Sequence, residues 1–147
     1  MLSDKTPRLA QMPPLPANDY EALANFRYLL RKFLRFSKDF LTTTADINPE
    51  QYEALLAIKA FHSHEGLTIS HLSERLQVKH HSAVNLVDRL AGKKLITRET
   101  GSIDRRRKHL KLTAKGARLI ERLAAAHRKE IRLRSAEMIK AFERLRG

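Results

Sequence analysis

The chain has 147 residues, enough for one domain with a hydrophobic core and too few for two ordinary ones. With 42% hydrophobic and 31% charged residues and no long uncharged stretch, it is neither a disordered chain nor one that spans a bilayer. Lys and Arg outnumber acids 29 to 16, a net charge of +13 that favours an acidic partner, and the absence of cysteine excludes disulfides, thiolate metal sites and thiol-based sensing.

The first residues, Met1 to Asp4, contain no basic region leading into an apolar run, so no secretory signal is expected and the expected location is the cytoplasm. Residues 1–18 hold the prolines at 7, 13, 14 and 16 with little periodic apolar pattern, which predicts a flexible arm. From Asp19 the apolar positions Leu23, Phe26, Leu30, Phe33 and Leu41 alternate with a second stripe, Leu29, Phe33, Phe36 and Phe40. Two apolar stripes on one helix predict a second partner, and a second subunit is the expected one.

Asn48, Pro49 and Gln51 read as a helix start with a capping box, and the helix is expected to run to about Phe61. Thr68 caps a short helix with Ile69, Leu72 and Leu76 inward, Gln77 and Val78 turn the chain, and a further helix follows to about Leu90. In that helix Ala83, Leu86, Val87 and Leu90 share one face. Leu95 to Glu99 and the Lys108–Leu112 segment read as two strands of a hairpin with a basic tip. Thr113 caps a helix carrying Ile120, Leu123, Ala124 and Ile131 on one face, and Ser135 is expected to cap a last one with Met138, Ile139, Phe142 and Leu145.

The predicted fold is mainly α with a small β wing. Residues 19–147 form a single unit, in which 48–113 is a winged helix-turn-helix with its wing at 95–113, and 19–43 and 114–146 supply dimerisation helices. The helical period turns His81, Ser82, Asn85 and Arg89 outward with Val84 at the edge, and Lys79 and His80 at the start. Such side chains suit base edges and phosphates: Asn pairs with adenine, Arg with guanine or phosphate, and Val84 can meet a thymine methyl. An ordinary solvated face remains an equal reading of this helix alone.

The wing weighs more. Between Lys93 and Arg118 ten basic residues face two acids, +8 of the net +13. Arg98 on the first strand and Arg105, Arg106, Arg107 and Lys108 near the tip repel one another unless an anion such as a phosphate backbone lies near. Asp104 and Arg106 are two apart on an extended chain, so the carboxylate can hold the guanidinium in place.

These residues resemble the MarR family of transcriptional regulators. The resemblance is carried by Leu86-Val87-Asp88-Arg89-Leu90, by Lys94-Leu95-Ile96-Thr97-Arg98, and by Asp104-Arg105-Arg106 followed by Leu112-Thr113 and Gly116. It implies a triangular homodimer with interlocked first and last helices, bound to a palindromic double-stranded DNA operator and acting as a repressor, with Arg106 in the minor groove and Asp104 orienting it. It also implies release by a small phenolic or otherwise aromatic effector, for which Arg35, Phe36, Ser37 and Tyr52 are the candidate lining.

Other readings stay open. His62, His64 and His71, with His80 and His81, suggest a metal-responsive regulator, but their spacing is not that of a metal site, and no metal or other cofactor is expected. An RNA-binding or protein-docking winged helix would call for exposed aromatics on the wing, and the wing has none. His127, on the apolar face of the long helix, is expected to be a hydrogen-bonded core or interface residue. No nucleophile motif, glycine-rich phosphate loop or paired carboxylates suggest an enzyme.

Overall fold

Pro16 decides where the first helix starts, because a proline disfavours the helical conformation in the residue before it. The computed structural model describes residues 8–61, 66–101 and 106–147. In it Leu9–Gln11 form a single exposed 3-10 turn, Pro16 is extended, and helix α1 spans Ala17–Ala45, starting two residues earlier than the apolar pattern suggests. Asp46 ends α1 in the left-handed conformation, at φ 51°. Helix α2, Pro49–Ala60, begins with the predicted capping box: the Gln51 amide donates to Asn48 Oδ1 at 2.8 Å and the Asn48 amide to Gln51 Oε1 at 2.9 Å.

Thr68 Oγ1 accepts from the His71 amide at 3.2 Å to open helix α3, Ile69–Leu76, which ends at a left-handed Gln77. Helix α4 follows at His80–Gly92. Among the described residues the sheet has three strands rather than the hairpin's two. Strand β1, Leu67–Thr68, pairs antiparallel with β3, Lys108–Leu112, which pairs on its other edge with β2, Ile96–Thr100. A two-residue strand has no period to read, and Thr68 is at once its end and the cap of α3.

Helix α5, Ala114–Arg146, is one helix of 33 residues where two were expected. Ser135 does not cap anything; its hydroxyl donates back to the Arg132 carbonyl at 2.9 Å, a bond that a helix interior satisfies without breaking. The buried stripe of α5 runs through Ile120, Leu123, His127 and Ala141, and Ile131, expected on that face, is 51% exposed.

Leu41, Leu55, Leu72, Leu90, Leu110 and Ile120 are fully buried and come from α1, α2, α3, α4, β3 and α5 in turn, so one core ties every layer together. α1 packs along α5, and α2 lies between that pair and the α3, α4 and β3 elements. The two apolar stripes of α1 merge into one broad inner face, with Leu29 and Leu41 buried and Phe26, Phe33, Phe36 and Phe40 half-buried. Tyr20, Leu23, Tyr28 and Leu34 stay exposed.

Candidate nucleic-acid interface

Burial of Ala83, Leu86, Val87 and Leu90 fixes the rotation of α4 about its own axis. That leaves Lys79, His80, His81, Ser82, Asn85 and Arg89 exposed and Val84 half-buried, on the side opposite the core. The outer face therefore offers hydrogen-bonding and cationic groups with a single acid, Asp88.

Asp88 is engaged. Its carboxylate accepts a hydrogen bond from the Arg98 guanidinium on β2, which joins α4 to the root of the wing. Farther out, Lys111 pairs with Glu99 at 2.9 Å across the two strands, and Lys108 Nζ donates to Thr100 Oγ1 at 3.0 Å. The Gly101 amide donates to the Arg107 carbonyl at 3.2 Å where the strands part. Arg106, Arg107 and Lys108 are exposed there. Asp104 and Arg105 lie outside the described residues, and with them the expected pairing of Asp104 with Arg106.

The wing's root is set by α5. The Thr113 amide donates to the Leu95 carbonyl at 3.0 Å, Thr113 Oγ1 donates to the Lys94 carbonyl at 2.7 Å, and the same hydroxyl accepts from the Gly116 amide. Gly116 is obligatory in this geometry, since a Cβ there would stand 2.0 Å from the Leu95 carbonyl oxygen.

Of the four candidate effector residues, three come together and one does not. Phe36, Ser37 and Tyr52 surround His127, while Arg35 is exposed on the outer side of α1. His127 is 3% exposed and fully bonded: its Nδ1 lies 2.7 Å from the Leu123 carbonyl and its Nε2 2.8 Å from Ser37 Oγ. Burial, and then the charge of Glu53, raise the pKa of the Tyr52 phenol. The sequence marked His127 as a bonded interior residue; that Phe36, Ser37 and Tyr52 converge on it depends on how α1, α2 and α5 cross, which no local spacing records.

Buried His109 was missed altogether. It sits on β3 with its Nδ1 3.4 Å from the Gly66 carbonyl. His71, His80 and His81 are exposed, His62 and His64 lie outside the described residues, and among the described residues no three His, Asp or Glu side chains converge on a metal-sized site. Nor, among them, is any helix long and apolar enough to cross a membrane.

At the far end of the molecule the start of α1 and the end of α5 enclose an open groove of about 1040 Å³, lined by Asp19, Ala22, Tyr28, Lys140, Ala141 and Arg144 among others. Tyr20, Leu23, Ile139 and Phe142 are exposed on the same helix ends.

A MarR family model matches residues 45–107, the stretch from the end of α1 to the wing. A protein of Thauera aromatica described as a putative transcriptional regulatory protein for the hcr operon is 34% identical over 94 residues, covering 64% of this chain and 54% of that protein, so the chain spans about half the length of this curated relative. Among solved structures, MepR, a transcription regulator of the Staphylococcus aureus multidrug efflux pump MepA, superposes with a TM-score of 0.69 at 26% identity over 80% of this chain and 83% of the other. MepR in a DNA complex superposes at 0.66 and 29% identity with the same coverage.

Proposed function

The chain is a member of the MarR family of winged helix-turn-helix proteins, and on that premise we propose that it is a sequence-specific, double-stranded DNA-binding repressor of transcription. The observation that carries this reading is the outer face of α4, polar and cationic, beside a wing whose described tip exposes Arg106, Arg107 and Lys108. Asn85, Arg89, His81 and Ser82 read base edges in the major groove, Val84 meets a thymine methyl, and Lys79 and His80 hold phosphates. Arg106 enters the minor groove, oriented by Asp104, and Arg98, Arg105, Arg107 and Lys108 bind the backbone. The likeness to MepR in a DNA complex supports the assignment.

The working unit is a homodimer in the cytoplasm. The exposed apolar residues at the start of α1 and the end of α5 flank a groove that a second copy's helix ends would fill, and twofold symmetry matches a palindromic operator with half-sites about one or two turns of B-DNA apart. Repression ends when a small aromatic or phenolic molecule enters beside Phe36, Ser37 and Tyr52, where aromatic rings adjoin a hydroxyl.

Selection of bound fragments from random duplexes, followed by titration at several salt concentrations, tests this. Arg106→Ala should weaken binding and lower the slope of log affinity against log salt by about one. Failure of the purified protein to hold any duplex in dilute buffer would overturn the reading, and equal capture of structured RNA would favour the RNA-binding winged helix instead.

A further inference from the structure

His127 of α5 lies where α5 meets both α1 and α2. Its ring stacks on Tyr52 of α2 at a centroid distance of 4.2 Å and an interplanar angle of 16°. Three rings of α1 meet its edges or face at steep angles: Phe33 at 6.2 Å, Phe36 at 5.8 Å and Phe40 at 5.7 Å. Polar contacts fix it in the plane as well. A carbonyl only accepts, so Nδ1 donates to Leu123, and in the neutral ring Nε2 accepts from the Ser37 hydroxyl.

An ordinary core position needs volume, and a leucine or phenylalanine supplies that. This one is specified in orientation too, because two hydrogen bonds and a stacked neighbour hold the plane, and a buried polar group keeps such partners or is costly. Tyr52 belongs to α2, and α2 packs on α3, α4 and β3, of which α4 and β3 carry residues proposed to meet DNA. Toward the wing α5 meets that lobe again through Ile120 and Leu123 in the shared core, through Glu121, whose carboxylate lies 3.7 Å from Lys59 of α2, and through Thr113 and Gly116 at the wing's root. Of these attachments the His127 stack lies farthest along α5 from the wing, so it has the longest lever on the angle between α5 and the lobe.

Resting on the proposed DNA-binding function, we infer that His127 is a positioning residue: its ring sets the seat of α2 on the α1–α5 pair and thereby the pose of the DNA-binding helices. It touches no DNA. It acts through Tyr52, and an agent that parts the two rings changes the pose of α4 without unfolding the lobe.

The test compares His127→Ala, His127→Phe and the wild-type protein for duplex affinity, thermal midpoint and amide hydrogen exchange. His127→Ala should bind the selected duplex about tenfold more weakly at a temperature where it is folded. Millimolar imidazole, a free copy of the lost ring, should restore affinity to that variant and leave the wild type unchanged, whereas benzene, which refills the volume without the two hydrogen bonds, should restore it less. His127→Phe keeps the ring and loses both hydrogen bonds, so it should fold and still bind several-fold more weakly, with faster exchange in α2 than in α5. Should His127→Ala fail to fold, the phenylalanine variant decides alone. Wild-type affinity and α2 exchange in the folded variants would overturn the inference. Absence of duplex binding by the wild type would instead sink the functional reading, and the exchange measurement would still judge the joint.

Discussion

Arg98 on the first wing strand donates to the carboxylate of Asp88 on α4, so the helix proposed to read bases and the wing proposed to grip the backbone are joined by one ion pair. Both side chains are substantially exposed, 37% and 53%, and an exposed pair contributes about 0.2–1 kcal/mol to stability. Its greater effect is on geometry. Asp88→Ala and Arg98→Ala should each leave urea unfolding within about 1 kcal/mol of the wild type, weaken duplex affinity, and combine to less than the sum of their separate effects. Strict additivity of the two in a double-mutant cycle on affinity would mean that the link does not position the wing.

Two glycines in helices give opposite predictions. At Gly116 an added methyl meets the Leu95 carbonyl oxygen at 2.0 Å, a backbone atom that cannot swing aside, so α5 must shift away from the wing's root. Gly116→Ala should cost about 1–3 kcal/mol, the range for overpacking, in spite of the better helix propensity of alanine. At Gly92 nothing lies within 4 Å and the residue is helical, so Gly92→Ala should be neutral or stabilise by up to about 1 kcal/mol. Thermal midpoints should therefore move in opposite directions or stay unmoved at Gly92 alone; a Gly116→Ala protein melting at or above the wild type would refute the clash.

The capping box at the start of α2 is a local device with a local cost. Asn48→Ala removes the acceptor for the Gln51 amide, and Gln51→Ala removes the acceptor for the Asn48 amide. Asn48→Ala should destabilise by about 1 kcal/mol in chemical denaturation. Because the two bonds are reciprocal, the double variant should cost less than the sum, and a neutral Asn48→Ala would show that water replaces the cap without loss.

The same residues show what a sequence can and cannot disclose. Asn48, Pro49 and Gln51 announced their helix because a cap works within four residues, and Ala83, Leu86, Val87 and Leu90 announced which side of α4 faces the core because the helical period is rigid. Ser135 misled for a related reason: a hydroxyl that can cap can also bond back to the preceding turn, and the choice is made by packing along α5. The pairing of Leu67 with Leu110, the convergence of Phe36, Ser37 and Tyr52 on His127, and the Asp88–Arg98 link all join residues distant in the chain or on different elements. Periodicity identifies the participants in such contacts without saying who meets whom. Arg35 illustrates the gap: it stands next to Phe36 in sequence and turns away from the cluster its neighbour enters.

Glu53, between Tyr52 and Ala54 on α2, provides a test with a worked sign. The residue is exposed overall, yet desolvation at its carboxyl, and then the charge of Glu50 one turn earlier, raise its pKa above the ordinary 4.5. A raised carboxylate pKa means that the folded protein holds this proton more tightly than the unfolded chain, so the group's contribution to stability is fullest below 4.5 and declines as pH rises through the folded value. Glu53→Gln should therefore be slightly more stable than the wild type at neutral pH, within about 0.5 kcal/mol because the site is wet, and the advantage should vanish in acid where both states are protonated. The Tyr52 phenol supplies an independent readout. Burial is the first cause of its raised pKa and the Glu53 charge the second, so Glu53→Gln should move the tyrosinate absorbance transition downward while burial still keeps it above 10. A gain in stability that persisted unchanged into acid, or a Tyr52 transition that did not move, would show that the carboxylate's charge is not felt across these two adjacent side chains.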